Sequence, residues 1–183
     1  IWNTSEFIKK DKVNFSNVTP FLDKNDFVFN TDSDNIIIFN RKTSDVFNII
    51  LEKFGDKVIV VENKTPEEVR KIMTKGGILV LSSPAEGVCL PALEAIFSGT
   101  VVVSWPCGAP EEYLIDEVSA MMVEPGDING MIDKIQYLLD NPDRRKEIAK
   151  NAYELVSDLY TEEKTKKELY FAYFNSIKLK PEL

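Results

Sequence analysis

The chain has 183 residues, an apolar share of 44% and a formal net charge of −8. That length suggests one domain, two being possible but not required, with enough buried surface for a proper core. The acidic balance argues against a general nucleic-acid binder, which needs a basic face. The lack of histidine excludes mechanisms that need imidazole as base, nucleophile partner or metal ligand within the chain.

The opening segment is polar with scattered aromatics. Thr4–Lys10 reads as a short helix capped by Ser5, and Val13–Pro20 as an extended piece. From Asn35 the pattern changes to alternating strands and helices. Ile36–Phe39 is a buried strand. Thr43–Phe54 is a helix, with Val46, Phe47, Ile50, Leu51 and Phe54 at helical spacing and Gly55 at its end. Lys57–Val61 is a second strand. Thr65-Pro66-Glu67-Glu68 opens a helix with a cap, an early proline and acidic first-turn residues. Gly77–Ser82 is the third strand, Leu90–Phe97 the helix after it, Thr100–Ser104 the fourth strand and Ala120–Val123 a short fifth. Strands separated by helices imply a parallel sheet with right-handed crossovers. The rest is helical. Asp127 caps a helix with Ile128, Met131, Ile132, Ile135, Leu138 and Leu139 on one face. Asn141-Pro142 breaks it and starts another, through Leu159. A last helix spans about Thr161–Leu179, and its Leu169, Tyr170, Tyr173 and Phe174 either cap this domain's core or await another partner.

The segment Glu86-Gly87-Val88-Cys89-Leu90-Pro91-Ala92-Leu93-Glu94-Ala95 carries most of the functional information. A strand, a glycine loop and a helix start together make an anion site. The two carboxylates suit hydroxyls rather than phosphate, and a sugar nucleotide has both. The stretch resembles the signature of retaining glycosyltransferases of the GT-B fold. Glu86 and Glu94 match its spacing, and Gly87, Leu90, Pro91, Leu93 and Ala95 match in type. Val88-Cys89 stands where the family usually has Phe-Gly. Downstream, Ser98–Ser104 resembles the family's Gly-Thr-Pro-Val-Val-Ala strand. Gly108-Ala109-Pro110-Glu111-Glu112 resembles its Gly-x-Pro-Glu turn, whose glutamates read as structural. Val123-Glu124-Pro125-Gly126-Asp127 resembles its closing Val-x-Pro-Gly-Asp.

The resemblance implies a Rossmann-like, doubly wound α/β fold, half of a GT-B enzyme, trimmed to about five parallel strands because one βα unit is absent between Ile36 and Val58. Residues 1–31 are then the interdomain hinge or the end of a missing N-terminal acceptor domain. Residues 32–183 are the donor domain with its C-terminal helices. By the same resemblance, Glu86 contacts the donor hexose and is the catalytic candidate. Gly87, Val88, Cys89 and Leu90 offer amides to diphosphate or sugar. Glu94 binds the ribose hydroxyls, which suits an acceptor-only carboxylate. Arg41 and Lys42 hold the diphosphate.

The reading implied is the donor half of a hexosyltransferase that takes a nucleotide-diphosphate sugar as substrate and needs no metal or other cofactor. The alternative is a non-catalytic GT-B-like module with a structural or partner-binding role. A nucleotide-sugar epimerase of the same fold is a third, weaker option without histidine. Cys89 and Cys107 are expected as reduced, partly buried thiols. No apolar run is long enough to span a bilayer, and the cytoplasm is the default location.

Overall fold

The computed structural model of the protein describes residues 18–40 and 44–178. The expected helix at Thr4–Lys10, the start of the extended piece at Val13, the loop residues Arg41 and Lys42, and Thr43 and Leu179 at helix ends lie outside the described residues.

Five strands form one parallel sheet in the order β2-β1-β3-β4-β5. They are β1 (Ile36–Phe39), β2 (Val58–Val61), β3 (Ile78–Leu81), β4 (Val101–Ser104) and β5 (Met121–Met122). Ile36 sits opposite Val58 on one side and Ile78 on the other, Ile78 opposite Val101, and Val103 opposite Met121. The described residues also form six α-helices: α1 (Ser44–Phe54), α2 (Pro66–Met73), α3 (Leu90–Phe97), α4 (Ile128–Asp140) and α5 (Pro142–Leu159), and last α6 (Glu162–Lys178). This is the Rossmann-like α/β sheet that the pattern predicts.

The central strands read as unbroken apolar runs because both sheet faces are covered. Alternate residues divide between two cores. Ile37, Leu79 and Val102 pack with Leu93, Ile96 and Phe97 of α3. Ile36, Ile38, Val80 and Val103 pack with Ile50 of α1 and Met131 and Ile135 of α4. The period-2 alternation of a strand places successive side chains on opposite faces.

Local signals fix the helix starts. Thr65 and Glu68 form a reciprocal capping box on α2, which satisfies two otherwise unbonded amides. The Asp127 carboxylate accepts from the Gly130 amide at 2.8 Å to start α4. The end of α4 is closed by the buried Arg145, which donates to the Leu138 carbonyl at 2.9 Å.

The segment before β1 lies against this domain. Phe27 stacks on Phe97 at 5.7 Å, and Phe29 meets Tyr153 edge-on at 4.8 Å. The Thr19 amide donates to Glu168, and the Thr165 hydroxyl donates to the Thr19 carbonyl at 2.8 Å, so α6 holds the same segment. The aromatic face of α6 does not cap the core: Tyr170, Phe171 and Tyr173 are two-thirds exposed. Among the described residues, no helix is long and apolar enough to cross a membrane.

Candidate functional site

Strand order reverses at β1: the chain leaves it for β2 on one side and returns to β3 on the other. In open parallel sheets, ligands bind in the crevice outside the carboxyl ends of the strands at such a switch. A cleft of about 160 Å³ opens there, lined by Phe39 at the end of β1, Ser82 and Ser83 at the end of β3, and Glu86, Cys89 and Pro91 beyond.

The loop after β3 is fastened to the loop after β4. The Glu86 amide donates to the Cys107 carbonyl at 2.7 Å, and Glu86 forms an isolated parallel bridge with Gly108. The indole of the buried Trp105 donates to the Ser83 carbonyl at 2.9 Å. Gly108 is held in turn by Glu111, whose carboxylate accepts its amide at 3.0 Å. Glu111 and Glu112 belong to a 3-10 turn, Ala109–Glu112, in keeping with a structural role.

Cys89 caps α3 in the left-handed conformation, with φ 55° and ψ 68°. For a residue with a Cβ this costs about 1–2 kcal/mol, so the surroundings must hold it. Its carbonyl accepts the Ala92 and Leu93 amides at 2.9 and 3.3 Å. The amides of Gly87, Val88, Cys89 and Leu90 have no acceptor among the described residues. Consecutive unbonded amides at a helix start favour an anion through hydrogen bonding and the helix dipole. Gly87 leaves the approach open: a Cβ added there would meet nothing within 4 Å.

The Cys89 thiol is buried, and burial pushes its pKa up to about 12. Burial likewise raises the Cys107 thiol. Both are free, and both stay protonated near neutrality, so neither is set up as a nucleophile. Val88 is half-buried against the α3-side core, and Leu90 is 49% exposed.

Glu94 stands one turn further along α3, outside the lining of the cleft. It is half-buried. Loss of hydration raises its pKa, and the charge of Arg70 on α2 opposes that rise. Among the described residues its carboxylate has no hydrogen-bond donor. Arg70 lies 3.9 Å from Asp26 and over the Phe27 ring, and its buried Nε has no hydrogen-bond partner among the described residues. The structure thus places Glu86 and Cys89 in the lining of the cleft, with Gly87, Val88 and Leu90 in the same loop and helix start and Glu94 one turn further along α3. Arg41 and Lys42 follow Asn40 in the loop after β1 but lie outside the described residues.

Sequence reasoning missed Phe39, Ser82, Ser83 and Trp105, although each ends or follows a strand, where the carboxyl-end rule points. It also missed Arg70 and Tyr113. Neither belongs to a motif, and only packing reveals them.

The model of the family described as glycosyl transferases group 1 matches residues 43–155, more than half of the chain. The chain belongs to that family. It is 28% identical over 108 residues to an MMP alpha-(1->4)-mannosyltransferase of Mycolicibacterium hassiacum, a match covering 58% of this chain and 26% of that protein. Its fold is similar to the C-terminal domain of a glycosyl transferase group 1 family protein from Francisella tularensis, at TM-score 0.65 and 22% identity, covering 77% of this chain and 99% of that one. It is also similar to an Anabaena protein solved with UDP and glucose, at TM-score 0.69 and 12% identity, covering 85% of this chain and 55% of that one. At these identities the solved structures speak for the fold alone, that of a GT-B C-terminal domain. The matches span less than a third of the length of the curated relatives.

Proposed function

We propose that this chain is the donor-binding part of a retaining glycosyltransferase that moves a hexose from a nucleotide-diphosphate sugar to an acceptor. The observation that carries the reading is the run of amides from Gly87 to Leu90, without an acceptor among the described residues, at the start of α3 beside the sheet's switch point. These amides take the diphosphate, and Arg41 and Lys42 add positive charge. Glu86 faces the hexose from the cleft wall. Glu94 accepts from the ribose diol, which supplies the donors its carboxylate lacks among the described residues. Helix dipole, amides and cations stabilise the leaving diphosphate, so the transfer needs no metal. The UDP and glucose bound by the Anabaena neighbour and the mannosyl transfer of the M. hassiacum relative support this substrate class.

Residues 1–31 serve as the hinge to an N-terminal acceptor domain that completes the cleft, and the protein works in the cytoplasm. By itself the present chain turns over little, because half a cleft does not exclude water. Titration with UDP, followed by amide chemical shifts, tests the reading. Shifts are expected at Gly87–Leu90 and in the Asn40–Thr43 loop. Shifts confined to the amino ends of the strands overturn it, and absence of binding moves the weight to a non-catalytic module.

A further inference from the structure

Tyr113 is buried to 0% exposure just after the Ala109–Glu112 turn, and no motif contains it. Its hydroxyl donates to the Val88 carbonyl at 2.6 Å, with the Cys89 carbonyl at 3.4 Å. The ring is fixed from several sides. Its own amide donates to the Pro110 carbonyl at 3.0 Å, and its carbonyl accepts from the Ser119 hydroxyl at 2.6 Å. Tyr160 packs edge-on at 5.6 Å, and the Tyr160 hydroxyl donates to Glu112. Burial raises the Tyr113 hydroxyl's pKa, so it remains a donor at any physiological pH.

The Val88 carbonyl and the Cys89 N–H belong to one planar trans peptide and point in opposite directions. Holding that carbonyl toward the buried phenol turns the Cys89 amide away from the core. The same bond holds the residue entering the left-handed Cys89, a conformation that the Cys89 side chain disfavours. We propose that Tyr113 is a positioning residue for the diphosphate, acting through the Val88–Cys89 peptide: its hydroxyl anchors the Val88 carbonyl and thereby presents the Cys89 amide to the anion. This rests on the reading that the Gly87–Leu90 amides bind a nucleoside diphosphate. Tyr113 itself touches neither donor nor acceptor.

The test uses the full chain and UDP as probe. Tyr113→Phe keeps the ring and removes the bond. Tyr160→Phe is the control, because it removes a neighbouring buried phenol's bond without touching the Val88–Cys89 peptide. Tyr113→Phe is expected to weaken UDP binding about tenfold, the upper range for one lost hydrogen bond, and to speed exchange of the Ala92 and Leu93 amides, which bond to Cys89. Tyr160→Phe is expected to leave UDP affinity within about twofold. In the unsubstituted protein the Cys89 amide should be among those most shifted by UDP. That measurement decides the matter even if Tyr113→Phe fails to fold. Equal loss of affinity in both variants makes Tyr113 merely structural and overturns the proposal. So does unchanged binding by Tyr113→Phe, or a Cys89 amide that UDP does not move while Gly87 shifts. If the parent binds no UDP at all, the nucleotide reading falls and this one with it; the other outcomes overturn this one alone.

Discussion

The two ends of the sheet are built on opposite principles. At the amino ends of the strands, polar groups satisfy one another. The Asn30 amide donates to the Ser98 carbonyl at 3.0 Å, and its side chain donates to Thr74. Ser33 and Asn35 both donate to the Lys75 carbonyl. The buried Thr100 hydroxyl lies 3.1 and 3.0 Å from the carbonyls of Met73 and Gly76. At the carboxyl ends, Cys89 is strained, Glu94 is partly desolvated, and among the described residues the Gly87–Leu90 amides have no acceptor and the Glu94 carboxylate no donor. Buried or half-buried polar groups normally find partners. On the proposed reading a ligand supplies the partners at this end, whereas the other end is closed by its own bonds.

Two glycines give the sharpest way to break that comparison. A Cβ on Gly77 would stand 2.1 Å from the Ser33 carbonyl oxygen, which is backbone and has little freedom to yield. Gly77→Ala should therefore destabilise the fold by about 3 kcal/mol, a fall in Tm of roughly 6–12 °C for a domain of this size. Gly87→Ala meets nothing in the free protein and should change stability by less than about 0.5 kcal/mol, while weakening UDP binding by crowding the approach. Thermal unfolding and calorimetry on both variants check this. A stable Gly77→Ala, or a Gly87→Ala that unfolds early and binds normally, would erase the contrast.

Side chains at the two ends should divide in the same way. Glu94→Ala is expected to weaken UDP binding by about 1–3 kcal/mol, the usual cost of a lost hydrogen bond to a charged group. It should leave the fold intact and matter less for the 2′-deoxy ligand, since the proposed contact is to the diol. Equal losses with both ligands would show that Glu94 is not the ribose contact. Asn30→Ala should do the reverse, lowering stability by about 1 kcal/mol through the lost bond to Thr74 and leaving UDP affinity unchanged. Binding that follows Asn30 would mean that the amino end is not merely structural.

These differences also mark what the sequence discloses. The sheet is legible because both faces are buried, so that Ile36–Phe39, Gly77–Ser82 and Thr100–Ser104 stand out as continuous apolar runs. Their ends shift by a residue where turns intervene: Lys57 belongs to a 3-10 turn rather than to β2, and β5 is only Met121–Met122. The crevice is legible because Glu86-Gly87 and Leu90-Pro91 keep a motif's spacing across a strand–loop–helix unit. What holds the crevice is not legible. Trp105 and Tyr113 act through the Ser83 and Val88 carbonyls, and Arg70 only through its charge beside Glu94, all brought close by the crossover of β3 and β4 and the packing of α2 beside α3. The aromatic face of α6 is ambiguous in sequence for the same reason, since helical spacing tells which residues share a face but not what covers it.

The smallest expected effect is the most specific, because stability and binding should respond to pH with opposite signs at one residue. Loss of hydration raises the Glu94 carboxyl above its ordinary value of 4.5. Its ionised form is disfavoured in the folded state, so Glu94 makes the free protein slightly less stable as pH rises from that value toward neutrality. Ligand binding runs the other way. Only the carboxylate can accept two hydroxyl protons from a diol, so binding pulls its pKa down and releases protons. UDP affinity should therefore rise with pH over the same window and fall as pH drops through the Glu94 pKa, by less than about tenfold per pH unit, the limit for one proton. Calorimetry in buffers of different ionisation enthalpy, from the carboxyl's ordinary value of 4.5 up toward neutrality, would detect the released protons. Glu94→Gln should flatten the Glu94 contribution to both slopes. A proton release that survives Glu94→Gln would assign it to the ligand's phosphates or to another carboxylate, and would leave Glu94 as a desolvated surface residue.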